Sequence, residues 1–174
     1  TVAICTMAVV IAVMAIMLLV LLTDTKTDDE SSISSLLDAP LFDDSGLLAA
    51  QSDGRWGFIN DKGEWVVNPQ FAWVGEFTEQ GLCVVRNEEQ YGYIGLDGKY
   101  IINPIFLDAE SFSGNNLAAA QDKETEKWGY INESGEFVIS PQFDSAYSFD
   151  KEGRAVVEVN EKYGVIGVDG KYII

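Results

Sequence analysis

The stretch RWGFINDKGEWVVNPQF, residues 55–71, returns almost unchanged as KWGYINESGEFVISPQF, residues 127–143. A segment written twice in a chain of 174 residues is a repeat, and a repeat constrains the fold before any single residue does. Two fainter copies complete the pattern. The aromatic–Gly pair that opens the motif occurs as Trp56-Gly57, Tyr91-Gly92, Trp128-Gly129 and Tyr163-Gly164, at intervals of 35, 37 and 35 residues. In the first three copies Pro69, Pro104 and Pro141 follow thirteen residues after the aromatic. Phe71, Phe106 and Phe143 come next, then Phe77, Phe112 and Phe149.

Each copy reads as a three-stranded meander. In RAVVEVNEKYGVIGVDGKYII, residues 154–174, the strands are AVVEV, YGVI and KYII. The last two flank VDG, and LDG stands in the sister copy; Asp-Gly between apolar runs is a hairpin signal, because Gly takes a positive φ without steric cost. NDKG and NESG place Gly in four-residue versions of the turn. Proline cannot donate to a ladder, so it is expected to end the third strand. In the connector PQFDSAYSFDKEG, Phe143, Ala146 and Phe149 recur every three residues, which predicts a turn of helix or a tight loop packed on the sheets. GLLAAQSDGRWG matches NLAAAQDKETEKWG, so four whole units are expected, at 47–69, 82–104, 117–141 and 154–174.

A pair of units forms the longer period. The first and third share PQF and an Asn in the turn, whereas the second and fourth share DGKYII. At one position the residues run Glu64, Lys99, Glu136, Lys171, so opposite charges alternate along the array if units stack in register. Solvated turn residues are the plainer reading of that alternation.

These residues carry a resemblance. Trp-Gly followed by YINESGEFVISPQFDSAYSF resembles the bacterial WG-repeat family, over residues 47–174, with Tyr for Trp in two units. The resemblance implies an extracytoplasmic or surface β-repeat module without assigned chemistry, and no catalytic residue to carry over. The fold class expected is thus an all-β repeat domain, four meanders in an open or partly closed array, preceded by an N-terminal hydrophobic α-helix. One meander cannot bury its apolar face alone, so neighbouring units must cover it.

The helix is expected over residues 1–22, TVAICTMAVVIAVMAIMLLVLL, which hold no charge, Pro or Gly. At 1.5 Å per residue it would span roughly 33 Å, the thickness of a bilayer core. A signal peptide would have a shorter apolar run, a basic stretch before it and a small-residue cleavage site after it. Thr1, Cys5, Ala8, Ala12 and Ala15 line one helix face, where small side chains permit close helix–helix association, while Met7, Ile11, Met14 and Leu18 lie on another face. The sequence opens on Thr1, so either a start is trimmed or a leader is removed. Leader removal before a retained helix is similar to the processing of type IV pilin-like subunits, a likeness limited to that feature, since such subunits carry Glu where Cys5 stands. The flank TDTKTDDESS is acidic, so it is expected on the non-cytoplasmic side. Residues 23–46, rich in Asp and Ser, read as an acidic flexible linker, with ISSLLDAPLF as an apolar cluster that docks or forms a helical turn.

Chemistry is sparse. The charge is −17, from 28 acids and 11 bases, which argues against nucleic acid and anionic headgroups as partners. There is no histidine, so the commonest general base and metal ligand are missing. The two cysteines, Cys5 and Cys83, sit in dissimilar segments and are not expected to form a bridge. Asp97-Gly98 and Asp169-Gly170 lack the oxygen ligands of a calcium loop. Asn132-Glu133-Ser134 is a glycosylation sequon in a turn. Trp65, Tyr100, Phe137 and Tyr172 share one repeat position, and with Trp73 form either a stacking ladder for sugars or peptides or plain packing. No catalytic residue, cofactor or metal is expected. The expected function is a non-enzymatic cell-surface structural protein, its helix in a membrane or a pilus-like filament core and its β domain outside. The alternative is a single-pass binding module for an envelope protein or glycan.

Overall fold

A computed structural model describes residues 45–174, so the expected 1–22 helix and most of the 23–46 linker lie outside the described residues. Among the described residues there is no helix, and hence none long and apolar enough to cross a membrane. Fourteen strands form four antiparallel sheets.

The first sheet holds β1 (Leu48–Ser52), β2 (Arg55–Ile59) and β3 (Trp65–Phe71), in that order. The second has four strands: β4 (Trp73–Phe77), β5 (Cys83–Arg86), β6 (Tyr91–Ile94) and β7 (Tyr100–Phe106). The third repeats this with β8 (Asp108–Ala109), β9 (Ala118–Gln121), β10 (Trp128–Ile131) and β11 (Phe137–Phe143). The fourth joins β12 (Ser145–Ala146), β13 (Arg154–Val159) and β14 (Lys162–Gly167), and Tyr172 adds a single bridge to Ile166.

The connector differs from the expected helical turn or tight loop. Its second half is a strand (β4, β8 or β12) that pairs with the first strand of the next unit, through Trp73↔Arg86, Ala109↔Ala120 and Ala146↔Val157. The chain therefore leaves one sheet and enters the next across a one-residue corner. The three-residue spacing has a geometric cause. Phe143 ends one arm of the corner, Ala146 and Phe149 line the other, and all three point into one core. Turning the corner resets the two-residue strand period, which imitates a helical one.

Each of the three cores joins consecutive sheets. Phe58, Val67 and Phe71 of the first sheet meet Phe77, Cys83, Val85 and Ile94 of the second. Tyr93, Ile102 and Phe106 of the second meet Ala109, Phe112, Ala118 and Ala120 of the third. Tyr130, Ile139 and Phe143 of the third meet Phe149, Ala155, Val157 and Ile166 of the fourth. None of these cores joins the fourth sheet back to the first. Inner sheets are thus covered on both faces. This explains why β5 begins CVV and β9 begins AAA, wholly buried, while β13 alternates between exposed and buried along its first four residues.

Candidate binding surface

The aromatic–Gly motif is first a packing device. Trp56 pairs with Phe71 but Phe58 pairs with Val67, so one residue of β2 faces three of β3. The same slip recurs between Tyr91 and Tyr93, and between Trp128 and Tyr130. The bulged backbone folds over the glycine between them. A Cβ on Gly92 would lie 2.7 Å from the Ile102 oxygen and 2.8 Å from the Pro104 nitrogen, and Gly57 and Gly129 are as crowded. Pro69, Pro104 and Pro141 therefore do not end the third strand as expected. They lie inside β3, β7 and β11, at the bulge of an edge strand, where the missing N–H costs no ladder bond. Gly164 differs: the Tyr172 ring, not a proline bulge, would meet its Cβ at 2.6 Å. The motif aromatics Trp56, Tyr91 and Trp128 pack half-buried against the cores, whereas Tyr163 is 66% exposed.

The four hairpin turns share one geometry, with the Gly N–H donating to the carbonyl three residues back: Gly63 to Asn60, Gly98 to Gly95, Gly135 to Asn132 and Gly170 to Gly167. The Asp-Gly turns are thus the same length as NDKG and NESG, not shorter. What alternates is the side chain that braces them. Asn60 and Asn132 accept from the N–H groups of Glu64 and Glu136, whereas Asp97 and Asp169 accept from those of Lys99 and Lys171. The Asn132 amide of the sequon also donates to Glu136, so it is engaged within its turn. The hydrogen bond from Lys99 holds the Asp97 carboxyl below the usual carboxylate range, and Lys171 does the same for Asp169.

The alternating charges do not pair between units among the described residues. Lys99 and Lys171 instead pair with Asp97 and Asp169 in their own turns. The supposed ladder is a contact between units: Tyr100 meets Phe71 edge-on at 6.1 Å, and Phe137 meets Phe106 at 5.8 Å. Trp65, Tyr100 and Tyr172 keep 40%, 38% and 59% of their surface, so the column packs and still faces solvent.

Two surface features escaped the sequence reading. Val66, Ile101, Val138 and Ile173 are all exposed and occupy one repeat position, two residues after the alternating charges. The signal was present as a column, but β-branched residues in strands ordinarily read as core. On the outer face of the fourth sheet, Tyr147, Ser148, Asp150, Arg154, Val156 and Tyr163 line a shallow hollow of about 530 Å³. Arg154 is ion-paired to Asp150 at 2.8 Å there.

Thr1, Cys5, Ala8, Ala12 and Ala15 lie outside the described residues. Among the described residues no group of three or more His, Cys, Asp or Glu is placed to hold a metal ion. Cys83 is buried. The buried hydroxyls of Tyr93 and Tyr130 donate to the backbone carbonyls of Glu110 and Tyr147, and burial pushes both phenols well above their usual range.

The family model described as "WG containing repeat" matches residues 56–90, 91–124 and 128–163, together more than half of the chain. No curated protein matches it. A crystal structure of a protein of unknown function from Bacteroides caccae aligns at 10% identity and a TM-score of 0.41. That alignment covers 76% of this chain and 57% of the other, so the chain spans little over half the length of that structure.

Proposed function

Since the chain belongs to the WG-containing-repeat family, we propose that it is a non-enzymatic display protein of the cell surface. A hydrophobic segment holds it in a membrane and the β-repeat array stands outside the cytoplasm. The observation that carries this reading is the uncharged run of residues 1–22 beside an acidic flank and a −17 chain. The absence of histidine supports a role without catalysis. So does the use of Asp97 and Asp169, two of the carboxylates held below the usual range, as braces of turns.

In the finer form of this reading, Thr1, Cys5, Ala8, Ala12 and Ala15 pack against identical subunits in the core of a pilus-like filament. Expression of the full chain in a bacterial host tests both levels. Resistance to alkaline carbonate extraction, with the β domain cleaved by external protease, is expected; a chain released by carbonate refutes anchoring. Electron microscopy of sheared surface material then shows fibres if the filament form holds, and detergent-soluble single subunits if it does not.

A second reading, a membrane-anchored binding module for a protein or glycan, is favoured by the hollow flanked by Tyr147 and Tyr163 beside the Arg154–Asp150 pair. Aromatic faces with adjacent charged hydrogen-bonding groups suit sugar rings or peptide side chains. Glycan-array binding lost in Tyr163→Ala supports it, and an unchanged array profile refutes it.

A further inference from the structure

Among the described residues the column Val66, Ile101, Val138, Ile173 lies outside the three buried cores. Each side chain keeps about half of its surface, at 44%, 55%, 52% and 56% exposure. Single exposed aliphatics are ordinary, but the same position left exposed in four consecutive units is a surface feature. The column runs along the edge strands β3, β7 and β11 and the segment that bridges to Ile166. Two residues before each aliphatic stands a charge: Glu64, Lys99, Glu136, Lys171. In the first three units each aliphatic is the extra residue at a register shift of its edge strand, as Val66 is between the pairs Ile59↔Trp65 and Phe58↔Val67, and the charge stands just before that strand. Sheets packed face to face lie about 10 Å apart, which makes the column about 30 Å long.

The order of the charges selects a partner. Among the described residues no ion pair uses their alternation: each lysine is paired within its own turn and keeps more than four fifths of its side chain exposed. A second copy laid against the column in the same direction would set Glu against Glu and Lys against Lys. A copy laid antiparallel sets Glu64 against Lys171, Lys99 against Glu136, and the reverse, so all four units meet an opposite charge. Such self-complementarity is the mark of a two-fold interface, in which residue i meets j and j meets i.

We propose that two copies of this chain associate antiparallel through this column, with Ile101 of one copy facing Val138 of the other and Val66 facing Ile173. The aliphatics supply buried apolar area and the alternating charges fix direction by penalising the parallel alternative. The rest of the surface, at a chain charge of −17, repels between copies, so association belongs near 0.15 M salt, where the Debye length is about 8 Å. The inference does not depend on where the chain is displayed.

The test is sedimentation equilibrium of the full chain in density-matched detergent, kept in excess so that residues 1–22 are diluted among micelles. The wild type is expected to dimerise. Lys99→Glu with Lys171→Glu should weaken association at least tenfold, as should Glu64→Lys with Glu136→Lys, while all four changes combined should restore it to within about threefold of the wild-type value. All four positions are exposed turn residues, and near-UV circular dichroism checks that the fold persists. In a Cys5→Ser background, Ile101→Cys should cross-link to Val138→Cys on oxidation and not to itself. A wild-type monomer at 100 µM, a dimer indifferent to charge reversal, or preferred Ile101→Cys self-cross-linking would each overturn the proposal.

Discussion

Gly92→Ala isolates the contact that defines the repeat. The added methyl would sit 2.7 Å from the Ile102 oxygen, 2.8 Å from the Pro104 nitrogen and 2.9 Å from the Asn103 carbonyl carbon. All three are backbone atoms of β7, tied to β6 on either side of the bulge by the Tyr91↔Phe106 and Tyr93↔Ile102 pairs. Ordinary contact begins at 3.4 Å, so the bulge must retreat by about 0.7 Å (3.4 less 2.7) without losing those pairs. Overpacking of this kind costs about 1–3 kcal/mol. Ala also lowers the entropy of the unfolded chain, which returns about 0.4–1 kcal/mol. The net expectation is a loss of about 1–2 kcal/mol, large against the usual reserve of about 5–15 kcal/mol. Gly95→Ala is the matched control, since its nearest neighbour is an Asp97 oxygen at 3.6 Å and its φ is not positive. Urea denaturation of the full chain in detergent, followed by tryptophan fluorescence, should give a lower midpoint for Gly92→Ala alone. Equal midpoints for the two variants would refute the claim that the Gly–Pro crossing fixes the sheet. Gly164→Ala should fall between them, because the Tyr172 ring it meets can swing aside.

Three further outcomes are expected. Tyr93→Phe removes the hydroxyl that donates to the Glu110 carbonyl and should cost about 1 kcal/mol by urea midpoint, with the slope unchanged. Gly98→Ala and Gly63→Ala share a φ of +75°, but only the Gly98 methyl meets a neighbouring unit, at 2.8 Å from Val67. The Gly98 variant should therefore lose at least about 1 kcal/mol more. Tyr93 and Tyr130 have folded pKa values raised above the unfolded value near 10. Their neutral form is therefore favoured in the fold, and their contribution is complete below pH 10 and lost as pH rises above it. Ultraviolet titration should show both phenols ionising only together with alkaline unfolding.

Much of this architecture was legible in the sequence because the repeat multiplies every weak signal by four. The strands and the turn glycines follow from residues such as Gly98, which sits in its turn with a positive φ. The connector was misread because its apolar residues straddle a corner: Phe143 ends β11, Ala146 lies in β12 and Phe149 follows it, yet all three share one core. The prolines were misread for a related reason. Pro104 looks like a terminator in one strand, and its bulge is visible only once Gly92 is seen beneath it. The exposed column was missed because Val66 and Ile101 have the composition of core, and exposure depends on which strand lies at the sheet edge.

The central claim is that neighbouring units share their cores and do not hang as separate beads. Methyl nuclear Overhauser effects on the perdeuterated, methyl-labelled full chain, with glycine α-protons retained, test it most directly. Gly98, Gly135 and Gly170 would each place a Cβ within 3.4 Å of Val67, Ile102 and Ile139 in the preceding unit. Cross-peaks between those glycine α-protons and those methyls, one set at each of the three junctions, are predicted. A spectrum with contacts inside each sheet and none across the junctions would contradict the account.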